Sequence, residues 1–325
     1  MWTALKWAVR VAVLAALFVG YKAVTFEPLL RALAAELPEP TKFSRPPDAY
    51  DWKTFGAPIK AGFSKRDITP KETLVWLAGY YPPHPKTSIH DQIWVKSLAL
   101  QDDHGQIAVF VSVDLIGLLP DEIAKIKHGA LGIVNEYRMF ISCTHTHSGP
   151  DTMGLWGPPP FTGKRRNYQK FMREEIIASI KEAVLNLQDA KIRFGGADFP
   201  NYAGGRHENP NDPSVSVLQV LFSNTGPVTL VNYACHADVA MTMQMTADFP
   251  YYLYERLGRL TGGEVMYIPG AIGGVQPRKN GFETWPYFVR TLGENLADFV
   301  HFQIMKNPIA PKWIQIGVTR TEVKS

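Results

Sequence analysis

Residues 139–152 read MFISCTHTHSGPDT. A strand-prone apolar run, Arg138 to Cys143, delivers two histidines one residue apart, and Gly149-Pro150 then stops it. In an extended segment residues i and i+2 point to the same side. His145 and His147 are therefore expected side by side at a strand end, where active sites of α/β proteins commonly lie. Neutral imidazole is a good zinc ligand, and catalytic zinc usually takes three protein ligands and keeps one position open. One histidine could ligate while its neighbour handles protons. A pair of hydrogen-bonded loop histidines would look the same, so the pair needs support from elsewhere in the chain.

A second apolar run gives that support. Val228 to His236 (VTLVNYACH) again ends in a histidine and continues to Asp248, just before a helical pattern. Asp248 reads equally as an N-cap, because a short carboxylate there satisfies open backbone donors. His90-Asp91 and Arg206-His207 are weaker loop candidates. Arg206 follows Gly204-Gly205, a backbone able to approach another group closely. A guanidinium there could hold a carboxylate or a developing oxyanion.

The surrounding pattern sets the fold class. Residues 58–70, 93–100, 107–113, 191–195, 215–222, 228–235, 264–268 and 313–318 read as strands. Asn224-Thr225-Gly226 joins two of them as a hairpin. Residues 121–134, 168–187, 251–260 and 287–305 have helical spacing. This alternation predicts α/β layers, a mixed β-sheet with packed helices.

Composition narrows the function. The chain has 325 residues, 46% hydrophobic and 20% charged, which suits one large or two smaller globular domains. Its net charge of +4 sits mostly in residues 1–31, where Lys6, Arg10, Lys22 and Arg31 face only Glu27. Beyond Lys164, Arg165 and Arg166 no basic run appears, so nucleic acid is not an expected partner. Val11 to Tyr21 is an uninterrupted apolar run. It reads as the core of an uncleaved N-terminal membrane helix or of a signal peptide, with the bulk of the chain in an exported compartment, periplasmic or extracellular. Pro38 to Pro47 reads as a linker. Two cysteines, Cys143 and Cys235, make no disulfide framework. They read as buried small residues, with one disulfide or thiolate ligation as alternatives. P-loop, dinucleotide and Gly-x-Ser-x-Gly patterns are absent.

THTHSGPD (144–151) resembles the signature of the neutral/alkaline non-lysosomal ceramidase family, N-terminal domain, and AGFSKRDITP (61–70), LAGY (77–80), IHD (89–91), VFVSVDLIGL (109–118), GLWG (154–157), VNYACH (231–236), TADFPYYLYERL (246–257) and PGAIGGVQP (269–277) agree with it in order and spacing. The resemblance covers roughly residues 58–320. It implies a zinc-dependent amidase acting on the N-acyl bond of ceramide or a related amphiphile, at membranes. By motif position His145 and His236 would be zinc ligands. His147 would handle protons or stabilise an oxyanion, and Arg206 would match an active-site arginine. The family's nucleophilic serine corresponds here to Gln276, in the run Gly273-Gly274-Val275-Gln276-Pro277, so Gly274 and Gln276 become candidate substrate contacts. The family's remaining ligands, a glutamate and a tyrosine, come from a region further along than this chain extends. The expected organisation is an anchor or uncleaved signal over 1–31, a linker over 32–57, and a ceramidase-like α/β domain over 58–325. The alternative is a catalytically inactive, membrane-tethered relative that binds metal or lipid. Other His-x-His metallohydrolases fit less well: the metallo-β-lactamase type wants Asp-His directly after the pair, where Ser148-Gly149-Pro150 stands. The sequence leaves the oligomeric state undetermined.

Overall fold

The computed structural model describes residues 59–199, 202–205, 212–240, 242–278, 285–306, 308–309 and 316. Eight strands form the main sheet: β1 (Ile59–Asp67), β2 (Trp94–Gln101), β3 (Ile107–Val113), β4 (Met139–Cys143), β5 (Gln188–Asp198), β6 (Ser214–Phe222), β7 (Val228–Tyr233) and β8 (Glu264–Pro269). Their order is β8-β7-β6-β5-β1-β2-β3-β4. The inner pairs are antiparallel, and the two outermost pairs, β7/β8 and β3/β4, are parallel. Among the described residues four helices accompany the sheet: α1 (Pro120–Gly129), α2 (Arg166–Leu185), α3 (Phe249–Thr261) and α4 (Trp285–Phe299), the last running into a π turn at Val300–Ile304. The expected mixed α/β architecture is therefore present.

Each parallel pair needs a crossover, and each crossover carries a helix. α1 links β3 to β4, and α3 links β7 to β8. α2 buries Met172, Ile176, Ile180 and Ala183 at helical spacing, and these share a core with Val95, Val109, Val111 and Ile126. α3 and α4 pack against each other and share a second core with Val231, Tyr233 and Tyr267.

The sheet curls until its two ends approach each other. Ser112 of β3 donates to the Tyr267 carbonyl of β8 at 2.6 Å, and the Lys96 ammonium of β2 donates to the Val265 carbonyl at 2.7 Å. Both side chains are buried and come from apolar strands whose interior face would otherwise be hydrocarbon. They satisfy edge carbonyls that a flat sheet would leave open. Lys96 also lies over the Tyr254 ring, 3.1 Å from its centroid. Burial lowers its pKa to about 7, against the opposing pull of Asp114. This closure brings the end of β4 toward the end of β7, although five strands separate them in the sheet order.

Several boundaries move from the sequence reading. α1 stops at Gly129 rather than continuing to Val134, and Gly132 follows at φ +88°. β5 runs to eleven residues because β6 pairs with it along its length. The expected strand at 313–318, apart from Ile316, lies outside the described residues, as do the apolar N-terminal run and the linker. Among the described residues no helix is long and apolar enough to cross a membrane. Both cysteines are free, and burial pushes the Cys143 thiol up to about 12. That sets aside the disulfide alternative, and neither thiol joins the grouping of side chains placed to share an ion.

Candidate metal centre

β4 ends at Cys143, and the chain then changes direction at His145, which takes φ +64°. The expected extended geometry is thus corrected: the two imidazoles converge through a left-handed residue, not by simple strand alternation. A non-glycine residue there costs ~1–3 kcal/mol and persists only where its surroundings over-determine it. The surroundings here are specific. The His145 backbone N–H donates to the Leu115 carbonyl at 2.9 Å, and its ring Nδ1 donates to the Ile116 carbonyl at 2.7 Å. Both carbonyls belong to the loop that leaves β3. The alternation of burial survives nonetheless: Thr144, Thr146 and Ser148 are buried while His145 and His147 are half-buried.

His147 is held from two directions. Its backbone N–H donates to Ala237 at 3.0 Å, beyond the end of β7, and its Nδ1 donates to the Gly79 carbonyl at 3.2 Å. His236, nearly buried, donates from Nδ1 to the Ile272 carbonyl at 3.0 Å, in the loop after β8. A carbonyl oxygen can only accept, so in all three rings Nδ1 carries the proton and Nε2 keeps the lone pair. This is the arrangement that presents imidazole to a metal, with the second nitrogen fixing tautomer and ring orientation.

The three rings meet edge to face. Their centroids lie 4.6 Å apart for His145–His236, 5.1 Å for His145–His147 and 5.2 Å for His147–His236. Their nitrogens come within 4.8 Å of one another, and among the described residues this is the one grouping of three or more ligating side chains placed to share an ion. An all-imidazole donor set suits zinc, copper, iron or nickel better than calcium or magnesium.

The supporting shell comes from motifs that carry no obvious chemistry in sequence. Gly79 sits at φ +97°, and a Cβ there would collide with the His147 ring. Tyr80 lies edge-on to that ring at 5.6 Å between centroids, and its hydroxyl reaches the Asp238 carbonyl at 3.4 Å. Asp151 accepts from the backbone N–H groups of Met153, Gly154, Leu155 and Trp156 and so shapes the loop after the histidine pair. Asp248 N-caps α3, accepting from Phe249 at 2.6 Å, and its other oxygen accepts from Ala240 at 2.7 Å. It thereby ties the segment after His236 to α3. Burial raises its pKa to about 7.

The other candidates add no ring or carboxylate to this cluster. His90 and Asp91 form a dyad, Nδ1 to Oδ1 at 2.7 Å, whose ring faces Tyr251 and Tyr252 of α3. Asp91 accepts from Ala247 at 2.9 Å, which gives the dyad a structural task. Gly274 and Gln276 lie in the run that follows β8. Val275–Pro277 pairs with Ala203–Gly205, placing Gln276 opposite Gly204, with its side chain exposed. The group that approaches Gly204 is the Arg278 guanidinium, which a Cβ would strike. Arg206 and His207 lie outside the described residues.

Known proteins resemble this chain in sequence and in fold. The neutral ceramidase of Pseudomonas aeruginosa is 26% identical over 189 residues, 51% of this chain and 28% of that protein. The crystal structure of neutral ceramidase from Pseudomonas aeruginosa superposes with a TM-score of 0.66 at 21% identity, over 77% of this chain and 45% of its own. A structure of ceramidase complexed with C2 gives the same TM-score and identity, covering 44% of its chain. No family model matches. The chain is thus a divergent, partial relative of the neutral ceramidases and spans less than half the length of the relatives it matches.

Proposed function

We propose that this divergent relative of the neutral ceramidases is a zinc-dependent hydrolase of an N-acyl amide bond, in ceramide or a related amphiphile. One observation carries the reading: three imidazoles from two distant strand ends converge with their Nδ1 protons all committed to backbone carbonyls. That arrangement fits zinc, and zinc held there would polarise the scissile carbonyl and lower the pKa of water toward ~7.

The chain's own residues supply the rest. His145, at the end of β4, and His236, at the end of β7, would hold the ion. His147 either completes the ligand set or moves a proton at Nε2, since its Nδ1 proton is engaged with Gly79. Tyr80, packed against His147, keeps that ring from rotating. Arg206 supports the developing oxyanion, and Gly274 and Gln276 contact substrate. The substrate's amphiphilic character goes with a membrane-anchored chain whose bulk lies in an exported compartment, periplasmic or extracellular. A second reading has its own support: Gln276 stands where the resembled family carries a nucleophilic serine and cannot act as one. It favours a tethered protein that binds metal or lipid without catalysis.

The test is metal content by plasma mass spectrometry on the full chain beside H145A/H236A, followed by an N-acyl amide hydrolysis screen. About one zinc per chain, lost in the double variant, with amide hydrolysis that follows the zinc, supports the enzyme. Zinc without hydrolysis supports the binding reading. No zinc in the unaltered chain overturns both metal-based forms.

A further inference from the structure

A second site lies at the other end of the same strands. A cavity of about 630 Å³ opens beside the start of β7 and the last turn of α3, opposite in strand direction to the end that carries His236. That volume falls in the range of small-molecule sites. Its ionisable lining is entirely basic: Arg193 of β5, His301 of the π turn and Lys306. Leu260, Phe302 and Met305 supply an apolar wall.

Arg193 is the group to explain. Its Nε donates to the Gln219 side-chain oxygen at 2.7 Å, and the Gln219 amide donates onward to the Thr229 hydroxyl at 2.7 Å. Gln219 and Thr229 are buried, at 1% and 0% exposure. This neutral relay fixes the plane of the guanidinium yet brings it no countercharge. Burial lowers the Arg193 pKa, and among the described residues no acidic neighbour offsets the effect. Arg66 and Arg173, which face glutamates, shift the other way. His301 and Lys306 at a helix end have an ordinary role in complementing the helix dipole. That role does not account for a half-buried, pre-oriented guanidinium at β5. Two carbonyls near the end of α3 are already engaged: Leu257 accepts from the Thr261 hydroxyl and Gly258 from the Gly262 N–H.

We propose that this cavity binds a small anionic amphiphile, with a carboxylate or phosphate headgroup on Arg193 and Lys306 and an alkyl or aryl body against Leu260, Phe302 and Met305. A planar guanidinium held at Nε presents its remaining N–H groups as a fork matched to such an oxyanion. The site is separate from the histidine centre and does not depend on the metal.

The test is calorimetric titration of the full chain with decanoate, octyl phosphate, inorganic phosphate and octanol. The expected result is one decanoate or octyl phosphate per chain, with octanol and inorganic phosphate each at least about tenfold weaker, because each lacks half of the recognised chemistry. Preference between decanoate and octyl phosphate identifies the headgroup. R193Q is expected to weaken the anion by about tenfold and K306Q, on the exposed rim, by a few fold. Metal content should stay unchanged in both, and H145A/H236A should bind the anion as the unaltered chain does. Equal binding of octanol, unchanged affinity in both R193Q and K306Q, loss of binding in H145A/H236A, or no anion bound at millimolar concentration overturns the proposal.

Discussion

Lys96→Met tests the claim that the centre depends on closure of the sheet. The substitution keeps most of the aliphatic volume against Tyr254 and deletes the ammonium. Two costs follow from the structure. The Val265 carbonyl loses its 2.7 Å donor at a buried edge, worth ~1–3 kcal/mol for an unsatisfied group. Asp114, the strongest opposing charge on Lys96, is left buried without it. Removing one member of a buried charge pair costs roughly 3–5 kcal/mol when the two touch. No direct contact joins this pair, so the total expected is about 3 kcal/mol. The assay is urea unfolding by tryptophan fluorescence on the unaltered chain, K96M, D114N and K96M/D114N, with metal content measured on each. The double variant should be more stable than the sum of the single losses by about 1–2 kcal/mol, because it no longer buries a lone carboxylate. K96M should also lose metal, since β8 and its following loop carry the Ile272 carbonyl that orients His236. A K96M chain within about 0.5 kcal/mol of the unaltered one, with full metal, would refute the closure argument.

Asp248→Asn turns an NH2 toward either the Phe249 or the Ala240 N–H and should cost about 1–3 kcal/mol at pH 4, a cost that shrinks at pH 8, where the unaltered chain has lost its own carboxyl contribution. The sign follows from a carboxyl whose folded pKa, about 7, stands above its ordinary 3.8: its contribution is full below pH 4 and is lost as pH rises through 7. Denaturant midpoints at both pH values decide it. Gly79→Ala forces a Cβ into the His147 ring at a φ that alanine resists, and should cut metal affinity at least about tenfold, read by competition with a chromogenic chelator. Chelator treatment should lower the melting temperature, and one equivalent of zinc should restore it, because a ligand that binds only the folded state stabilises it by mass action. An unchanged melting temperature would mean that the three rings hold no ion in solution.

Much of the centre was legible in residues alone. His145, His147 and His236 each follow an apolar run, and the end of a buried strand is where such a chain can deliver a polar side chain. The strands themselves follow from β-branched and apolar runs such as IAVFVSV, and the helices from 3.6-residue spacing, because both are local consequences of burying one face. Asp248 as an N-cap was equally visible, since capping is a contact between neighbours in sequence. The left-handed turn at His145 was not visible, because it is set by carbonyls of Leu115 and Ile116 some thirty positions earlier. Nor could spacing show that the buried Lys96 and Ser112 clamp a distant strand edge, for a lysine in an apolar run reads as an outward-facing charge. The sequence by itself determined which elements form and which histidines stand at their ends. Only the tertiary structure decided that those ends meet, because ring convergence, tautomer and closure depend on hydrogen bonds between groups up to about 170 residues apart.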